Sequence, residues 1–147
     1  MSDLILVGTD GSPTAARAVR EAGRLAAGLG ARLLILTAIP STAQQTISER
    51  AHDMPAPRSW RSPGRQEAET VLAEAARSLD GSGVEVETVA QEGDPAEALL
   101  SVAERRGVDL IVVGNKGMTG VQRFLLGSVP NKVAHHAPCS VHIVRTS

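Results

Sequence analysis

The sequence contains almost no aromatic residues: Trp60 and Phe124 are the only two among 147 residues, and tyrosine is absent. Proteins that hold single-stranded nucleic acid stack successive bases on aromatic side chains, so the composition argues against a surface of that kind. The 15 basic and 16 acidic residues leave a net charge of -1. This balance gives no general electrostatic reason to bind a nucleic acid or a membrane surface, and we expect neither as a partner.

Cysteine is equally scarce. The single Cys139 excludes an intrachain disulfide framework and fits a reducing compartment. The first residues do not combine a charged segment with a long apolar one, so they predict no signal peptide. No apolar run approaches the roughly 20 residues that cross a bilayer. We therefore expect a cytoplasmic protein.

The length and the hydrophobic fraction of 42% suit one globular domain, which we expect to span residues 1–147. Five apolar runs predict β-strands, at 4–9, 31–39, 84–90, 109–114 and 140–145. Continuous Val, Ile and Leu runs are typical of strands covered on both faces. The run 84–90 instead alternates apolar and polar residues, which predicts an edge strand with one face in water.

Four helical patterns lie between the strands, at 13–29, 65–80, 95–106 and 128–136. Ser12 before Pro13 is a helix start signal, and Asp94 with Glu97 forms a capping-box pattern. The alternating order predicts an α/β fold, a single doubly wound five-stranded parallel sheet with helices on both faces. Residues 40–63 are rich in proline and polar residues and do not fit this rhythm, so we expect a long loop there.

The stretch GNKGMTGVQRFLLGS, residues 114–128, holds four glycines, two cations (Lys116 and Arg123) and no carboxylate. Glycines allow backbone N–H groups to approach an anion closely. Gly127 and Ser128 also begin a predicted helix, whose first amides are unpaired and whose dipole end is positive. These features predict a phosphate-binding loop.

Three features fall at the carboxyl ends of predicted strands, where open α/β sheets bind ligands. The first strand ends at Gly8, Thr9 and Asp10, the second near Ala38, and the fourth at Val113 and Gly114. If the first and fourth strands are neighbours, all three features line one crevice. A carboxylate at Asp10 does not favour phosphate but can accept hydrogen bonds from ribose hydroxyls. A nucleotide would join the two ends of such a site.

Simpler structural explanations exist for each of these features. The glycine loop can be an ordinary strand–helix connection, Asp10 can organise the bend after the first strand, and Lys116 and Arg123 can be solvated surface charges. A zinc site would need to use the ligands His135, His136, Cys139 and His142. Since positions 139 and 142 point to opposite faces of a strand, these side chains do not converge easily, and we expect no metal site.

The spacing Gly114-x2-Gly117-x9-Gly127-Ser128 resembles, without a gap, the G-2x-G-9x-G-(S/T) signature of the ATP-binding branch of the universal stress protein family. The stretches ILVGTDGS, EGDPAEALLSVAERRGVDLIVVGNKG and LLGSVPNKVAHHAPCSVHIV carry the same resemblance in the same order. It covers nearly the whole chain except residues 40–63, a segment that varies in the family.

The resemblance implies a Rossmann-like sheet of strand order 3-2-1-4-5 and a homodimer that pairs through the last strand, 140–145. It places Asp10 at the ribose or adenine and a backbone group of Ala38 at adenine. It places Gly114, Gly117, Gly127 and Ser128 at phosphate, with an amide from Val129. We also count Gly8, Thr9, Val113 and Lys116 as candidate nucleotide-binding residues. Pro130 has no N–H, which leaves Ser128, Val129 and Asn131 as backbone donors there.

Three classes of function fit these observations. The first is a regulatory dimer of the stress response that binds ATP, with or without Mg²⁺. The second is a slow ATPase, and the third is a structural dimer with an empty crevice. The sequence has no Walker A, G-x-S-x-G or HExxH motif, and the glycine loop supplies no metal-binding carboxylate or general base, which disfavours efficient catalysis. The glycine signature disfavours the empty crevice. Cyclic AMP remains an alternative to ATP, because both ligands need an adenine pocket, a ribose acceptor and a phosphate site.

Overall fold

A computed structural model describes residues 3–39, 63–115 and 127–145 of the chain. In chain order these ranges form β1 (Leu4–Gly8), α1 (Pro13–Leu29), β2 (Arg32–Ile39), α2 (Pro63–Arg77), β3 (Val86–Glu92), α3 (Pro95–Arg106), β4 (Leu110–Gly114), α4 (Ser128–His136) and β5 (Ser140–Val144). Each predicted strand and helix is present, with bounds shifted by at most three residues. Most of the predicted loop 40–63 lies outside the described residues, which resume at Pro63, the first residue of α2.

The five strands form one parallel sheet in the order β3-β2-β1-β4-β5, as expected. Leu6 of β1 pairs with Leu34 of β2 on one side and with Ile111 of β4 on the other. The chain therefore runs outward from β1 to β3 and then returns to place β4 against the opposite edge of β1. This reversal creates a crevice beyond the carboxyl ends of β1 and β4, the usual ligand position in a doubly wound fold.

Side chains along the central strands alternate between two apolar layers because successive residues of a strand point to opposite faces. Leu6 and Leu34 face α3 and α4, where Leu99 and Val133 cover them. On the other face, α1 and α2 cover the alternate residues, including Ile5, Val7, Leu33 and Ile35. Helices thus occupy both faces of the sheet, and no helix within the described ranges is long and apolar enough to cross a membrane.

β3 is an edge strand, as predicted, and the expectation of one wet face is confirmed in part, because Glu85 and Glu87 are exposed. Val89, on the same face, is instead half-buried and packs against the layer covered by α3 and α4, whereas Val86 packs against the layer covered by α1 and α2. Arg106 of α3 donates to Glu87, so α3 also contacts this edge of the sheet through an ion pair. The period-two pattern could not reveal this contact, because it joins residues 19 positions apart.

The helix start signals are confirmed at α1 and half confirmed at α3. Ser12 Oγ accepts a hydrogen bond from Ala15 N at 3.2 Å, and Asp94 Oδ2 accepts one from Glu97 N at 3.2 Å. The second half of the predicted capping box is replaced, because the Glu97 carboxylate accepts from Lys132 Nζ at 3.1 Å instead. This long-range contact joins the first turn of α3 to α4.

The ion pair between Glu87 and Arg106 allows a test of how α3 is attached to the sheet edge. Arg106 donates to both carboxylate oxygens, at 2.8 and 3.0 Å, and this hydrogen bonding lowers the pKa of Glu87 below its ordinary value of 4.5. A lowered pKa contributes stability above the unfolded-state pKa, which is lost as the pH falls through the folded-state pKa. We expect Glu87→Gln to lower the Tm by no more than about 3 °C at pH 7, since exposed pairs contribute little. Thermal unfolding at pH 7 and in acid should show that this difference shrinks as the pH falls below 4.5.

Candidate functional site

The crevice between β1 and β4 holds about 440 Å³ of space that is open to solvent. The residues that line it, among those the structure describes, are Gly8, Thr9, Asp10, Ser12, Thr14, Ala15, Leu99, Val113, Gly114, Val129 and Pro130. Six of them are predicted site residues: Gly8, Thr9, Asp10, Val113, Gly114 and Val129. The fold therefore brings the ends of β1 and β4 together with the first turns of α1 and α4.

The other predicted site residues divide into two groups. Ala38, Gly127 and Ser128 lie beside the crevice but do not line it. Lys116 and Gly117 lie outside the described residues, as do Trp60, Met118, Arg123 and Phe124.

Leu99 is a lining residue that sequence reasoning missed. It is 2% exposed, and it reaches the crevice from α3 by passing close to Gly8. A Cβ at Gly8 would lie 3.3 Å from Leu99 Cδ1, a contact tighter than normal packing allows. An apolar residue within a helical stripe predicts a core position, so no signal in the sequence distinguishes Leu99 from its buried neighbours.

The bend that follows β1 is held by its own side chains. Asp10 Oδ1 accepts a hydrogen bond from Ser12 N at 2.9 Å, and Thr9 Oγ1 accepts one from Gly11 N at 3.1 Å. Gly11 has a φ of 84°, which L-residues with a side chain rarely adopt. The structural explanation for Asp10 is therefore confirmed, and it uses one of the two carboxylate oxygens.

The end of β2 extends past the last residue of β1 that pairs with it. Pairing of β2 with β1 ends at Leu36, whose carbonyl also accepts from Thr9 N at 2.9 Å, whereas pairing with β3 continues to Ile39. Backbone groups of alternate residues point to the same side of a strand. The N–H and C=O of Ala38 therefore point to the same side as those of Leu36, past the end of β1.

The first turn of α4 presents unpaired amides. The N-cap residue, Gly127, makes no side-chain capping bond, and Pro130 has no N–H. Gly127 N donates to Asn115 O at 3.0 Å, and Asn131 N donates to Gly127 O at 3.0 Å. The expectation that Asn131 offers a free donor is therefore wrong, because its amide closes the first helical hydrogen bond. Within the described ranges, the amides of Ser128 and Val129 remain without a partner.

Asn115 connects three elements at this end of the sheet, and sequence reasoning missed it. Its N–H donates to Val144 O of β5 at 2.8 Å, and its C=O accepts from Gly127 N. The two residues that flank positions 116–126 are thus hydrogen-bonded to each other. An asparagine after a strand suggests a turn, but it does not show which backbone groups it joins.

Two helices, α1 and α4, begin at the crevice. Helix N-termini combine outward-pointing amides with the positive end of the helix dipole, so both favour an anion. Asp10 is the one carboxylate in the described lining. The crevice therefore offers backbone amide donors at the start of α4 and a carboxylate acceptor at Asp10.

The described residues do not form a set of zinc ligands. No three His, Cys, Asp or Glu side chains in the described part of the chain are grouped to hold a metal ion. His135 and His136 are exposed at the end of α4, whereas Cys139 is half-buried. Burial and the nearby Asp109 raise the pKa of the Cys139 thiol, which disfavours the thiolate that zinc needs.

Comparison with known proteins gives consistent matches along the whole length. Residues 1–145 match the universal stress protein family. The universal stress protein YxiE of Bacillus subtilis is 35% identical over 149 residues, which cover 99% of this chain and 100% of the relative. A solved universal stress protein in complex with cAMP is 34% identical, with a TM-score of 0.75 over 99% of this chain and 98% of the other. The solved protein MJ0577 is 25% identical, with a TM-score of 0.80 over 100% and 98%.

Proposed function

The chain belongs to the universal stress protein family, as the sequence predicted, and from this premise we propose that it binds an adenine nucleotide, ATP, in the crevice between β1 and β4. We further propose that it acts as a regulatory dimer in the stress response, within the ATP-binding branch of the family. The glycine spacing from Gly114 through Gly117 to Gly127 and Ser128 supports the assignment to that branch.

The observation that carries the proposal is that Asp10 and the first turn of α4 line the same crevice. The second oxygen of the Asp10 carboxylate would accept hydrogen bonds from the ribose hydroxyls. The unpaired amides of Ser128 and Val129 would donate to phosphate, with Lys116 and Gly117 contributing from the glycine loop. The backbone of Ala38 would contact adenine, because it points past the end of β1.

Cyclic AMP is the second candidate ligand, and two observations favour it. A 34% identical relative has been solved with cAMP bound. In addition, the two unpaired amides that the described start of α4 offers are enough for a single phosphate group, whereas a triphosphate relies on the further donors proposed at Lys116 and Gly117 and would benefit from Mg²⁺. In this case the protein would act as a sensor or sink for a second messenger.

Catalysis has less support than binding. The crevice holds one carboxylate in its described lining, and Asp10 already uses one oxygen to hold the bend. Efficient phosphoryl transfer needs groups that hold the metal and orient the nucleophile. We therefore propose slow ATP hydrolysis as the upper limit.

The proposed dimer would form through β5, at residues 140–145. β5 pairs with β4 on one side and forms an edge of the sheet, and Val141, His142 and Ile143 are half-buried in the single chain. Such an edge can accept a second copy. The proposal also includes a single domain over residues 1–147 and a cytoplasmic location, which the lone Cys139 fits.

Calorimetric titration of nucleotide-stripped protein with ATP and with cyclic AMP, each with and without Mg²⁺, tests the proposed function. We expect ATP to bind more tightly and Mg²⁺ to strengthen its binding. Tighter binding of cyclic AMP that does not depend on Mg²⁺ would select the second-messenger function. Absence of binding by both ligands would contradict nucleotide binding and leave a dimeric scaffold.

A further inference from the structure

We infer that Lys132 tunes the affinity of the crevice for phosphate by offsetting one of the two negative charges at the start of α3, those of Asp94 and Glu97. This inference rests on the proposed function, because it concerns the same site. Lys132 Nζ lies 3.1 Å from Glu97 Oε1 and 3.9 Å from Asp94 Oδ2. It is a positioning residue, since it acts through α3 and α4 rather than by touching the nucleotide.

Lys132 belongs to the same surface of α4 as the residues at the helix start. Val129 lines the crevice, and Lys132 follows it by three residues, so the two are neighbours on the helix surface. Ser128 lies one turn before Lys132 on the same helix. The ion pairs of Lys132 join this surface of α4 to the first turn of α3.

Without Lys132, the carboxylates of Asp94 and Glu97 would repel a phosphate group. Asp94 caps α3 through Oδ2, and Glu97 lies in the same turn, so the first turn of α3 carries two negative charges. Lys132 is the cation that contacts both within the described residues. These side chains are 42–67% exposed, which makes their effect electrostatic and dependent on salt, rather than a strong contribution to folding.

Lys132→Met separates the charge effect from a purely structural one when it is tested with adenosine, AMP and ATP. These ligands share the base and sugar but carry increasing negative charge. We expect Lys132→Met to weaken ATP roughly tenfold and AMP about threefold at low salt, and to leave adenosine unchanged. Near 0.5 M salt the loss for ATP should shrink to about twofold. Lys132→Arg should restore the wild-type affinities, and Glu97→Gln combined with Lys132→Met should recover most of the ATP binding.

Arg106→Met is the matched control, because it removes an ion pair from the other end of α3 without changing charge at the crevice. It should leave all three affinities at the wild-type values. Equal weakening of adenosine, AMP and ATP by Lys132→Met, or no weakening of ATP, would overturn the inference while leaving the proposed function intact. Failure of the wild-type protein to bind any of the three ligands would overturn both.

Discussion

Replacing Ser128 with proline lowers the affinity for ATP by about 10- to 100-fold, the value of one hydrogen bond to a charged group, while the protein stays folded. The substitution removes one of the two unpaired amides of the described α4 start. Proline is well accepted at the first helical position, where the N–H has no partner within the helix. The preceding Gly127 has φ and ψ of -63° and 166°, the extended conformation that a residue before proline prefers. Calorimetric titration together with thermal unfolding measures both parts of the prediction.

Ser128→Ala is the control for this prediction because it removes the hydroxyl but keeps the amide. We expect it to bind ATP within about threefold of the wild type, since the hydroxyl contributes at most an ordinary hydrogen bond. Equal losses in Ser128→Ala and Ser128→Pro would assign the effect to the hydroxyl. Undiminished affinity in a folded Ser128→Pro protein would contradict the placement of phosphate at α4.

The arrangement of the secondary structure was predictable because each element carries its own local signal. Ser12 followed by Pro13 marks the start of α1, and the buried run of β4 needs no information from elsewhere in the chain. The position of β3 was predicted less well. Its alternation correctly indicated an edge with exposed Glu85 and Glu87, but it did not show that Val89 packs against the α3 layer or that Arg106, 19 residues from Glu87, pairs with that carboxylate.

The candidate site was predictable where a residue belongs to a strand end or to a helix start. Gly8, Asp10 and Gly114 lie at strand ends, and these ends must meet in a parallel sheet once β1 and β4 are neighbours. The partners of individual polar groups were not predictable in the same way. The Glu97 side chain could bond to its own helix start, as the capping-box pattern suggests, and only the packing of α4 on α3 brings Lys132 within reach.

The same limit applies to the amide of Asn131, which the sequence alone left as a possible phosphate donor. Whether the first helical hydrogen bond forms depends on where α4 begins, and Gly127 is its N-cap residue. Asn115 sets this point through its carbonyl, which accepts from Gly127 N. Backbone hydrogen bonds of this kind follow from the geometry of the fold, and no side-chain pattern encodes them.

The role of Asp10 in ribose binding is separable from its role in the bend. In Asp10→Asn the amide oxygen can still accept from Ser12 N, while the second carboxylate oxygen becomes an NH₂ donor and the charge is lost. We expect this variant to bind ATP about 10- to 100-fold more weakly, because charge-assisted hydrogen bonds to the ribose hydroxyls are lost. Stability should change little. Asp10→Ala would instead lose the contact to Ser12 N as well and should also unfold at a lower temperature.

Dideoxy-ATP, which lacks both ribose hydroxyls, shows whether the loss arises at the sugar. The wild type should prefer ATP over dideoxy-ATP by about tenfold or more, and Asp10→Asn should abolish this preference. Inorganic tripolyphosphate should bind the variant at least as well as the wild type, because the substitution removes a negative charge from a crevice that holds phosphate. A preference for ATP that survives Asp10→Asn would move the ribose away from Asp10. Equal losses for ATP and tripolyphosphate would contradict a role of Asp10 at the ribose, because tripolyphosphate has no sugar.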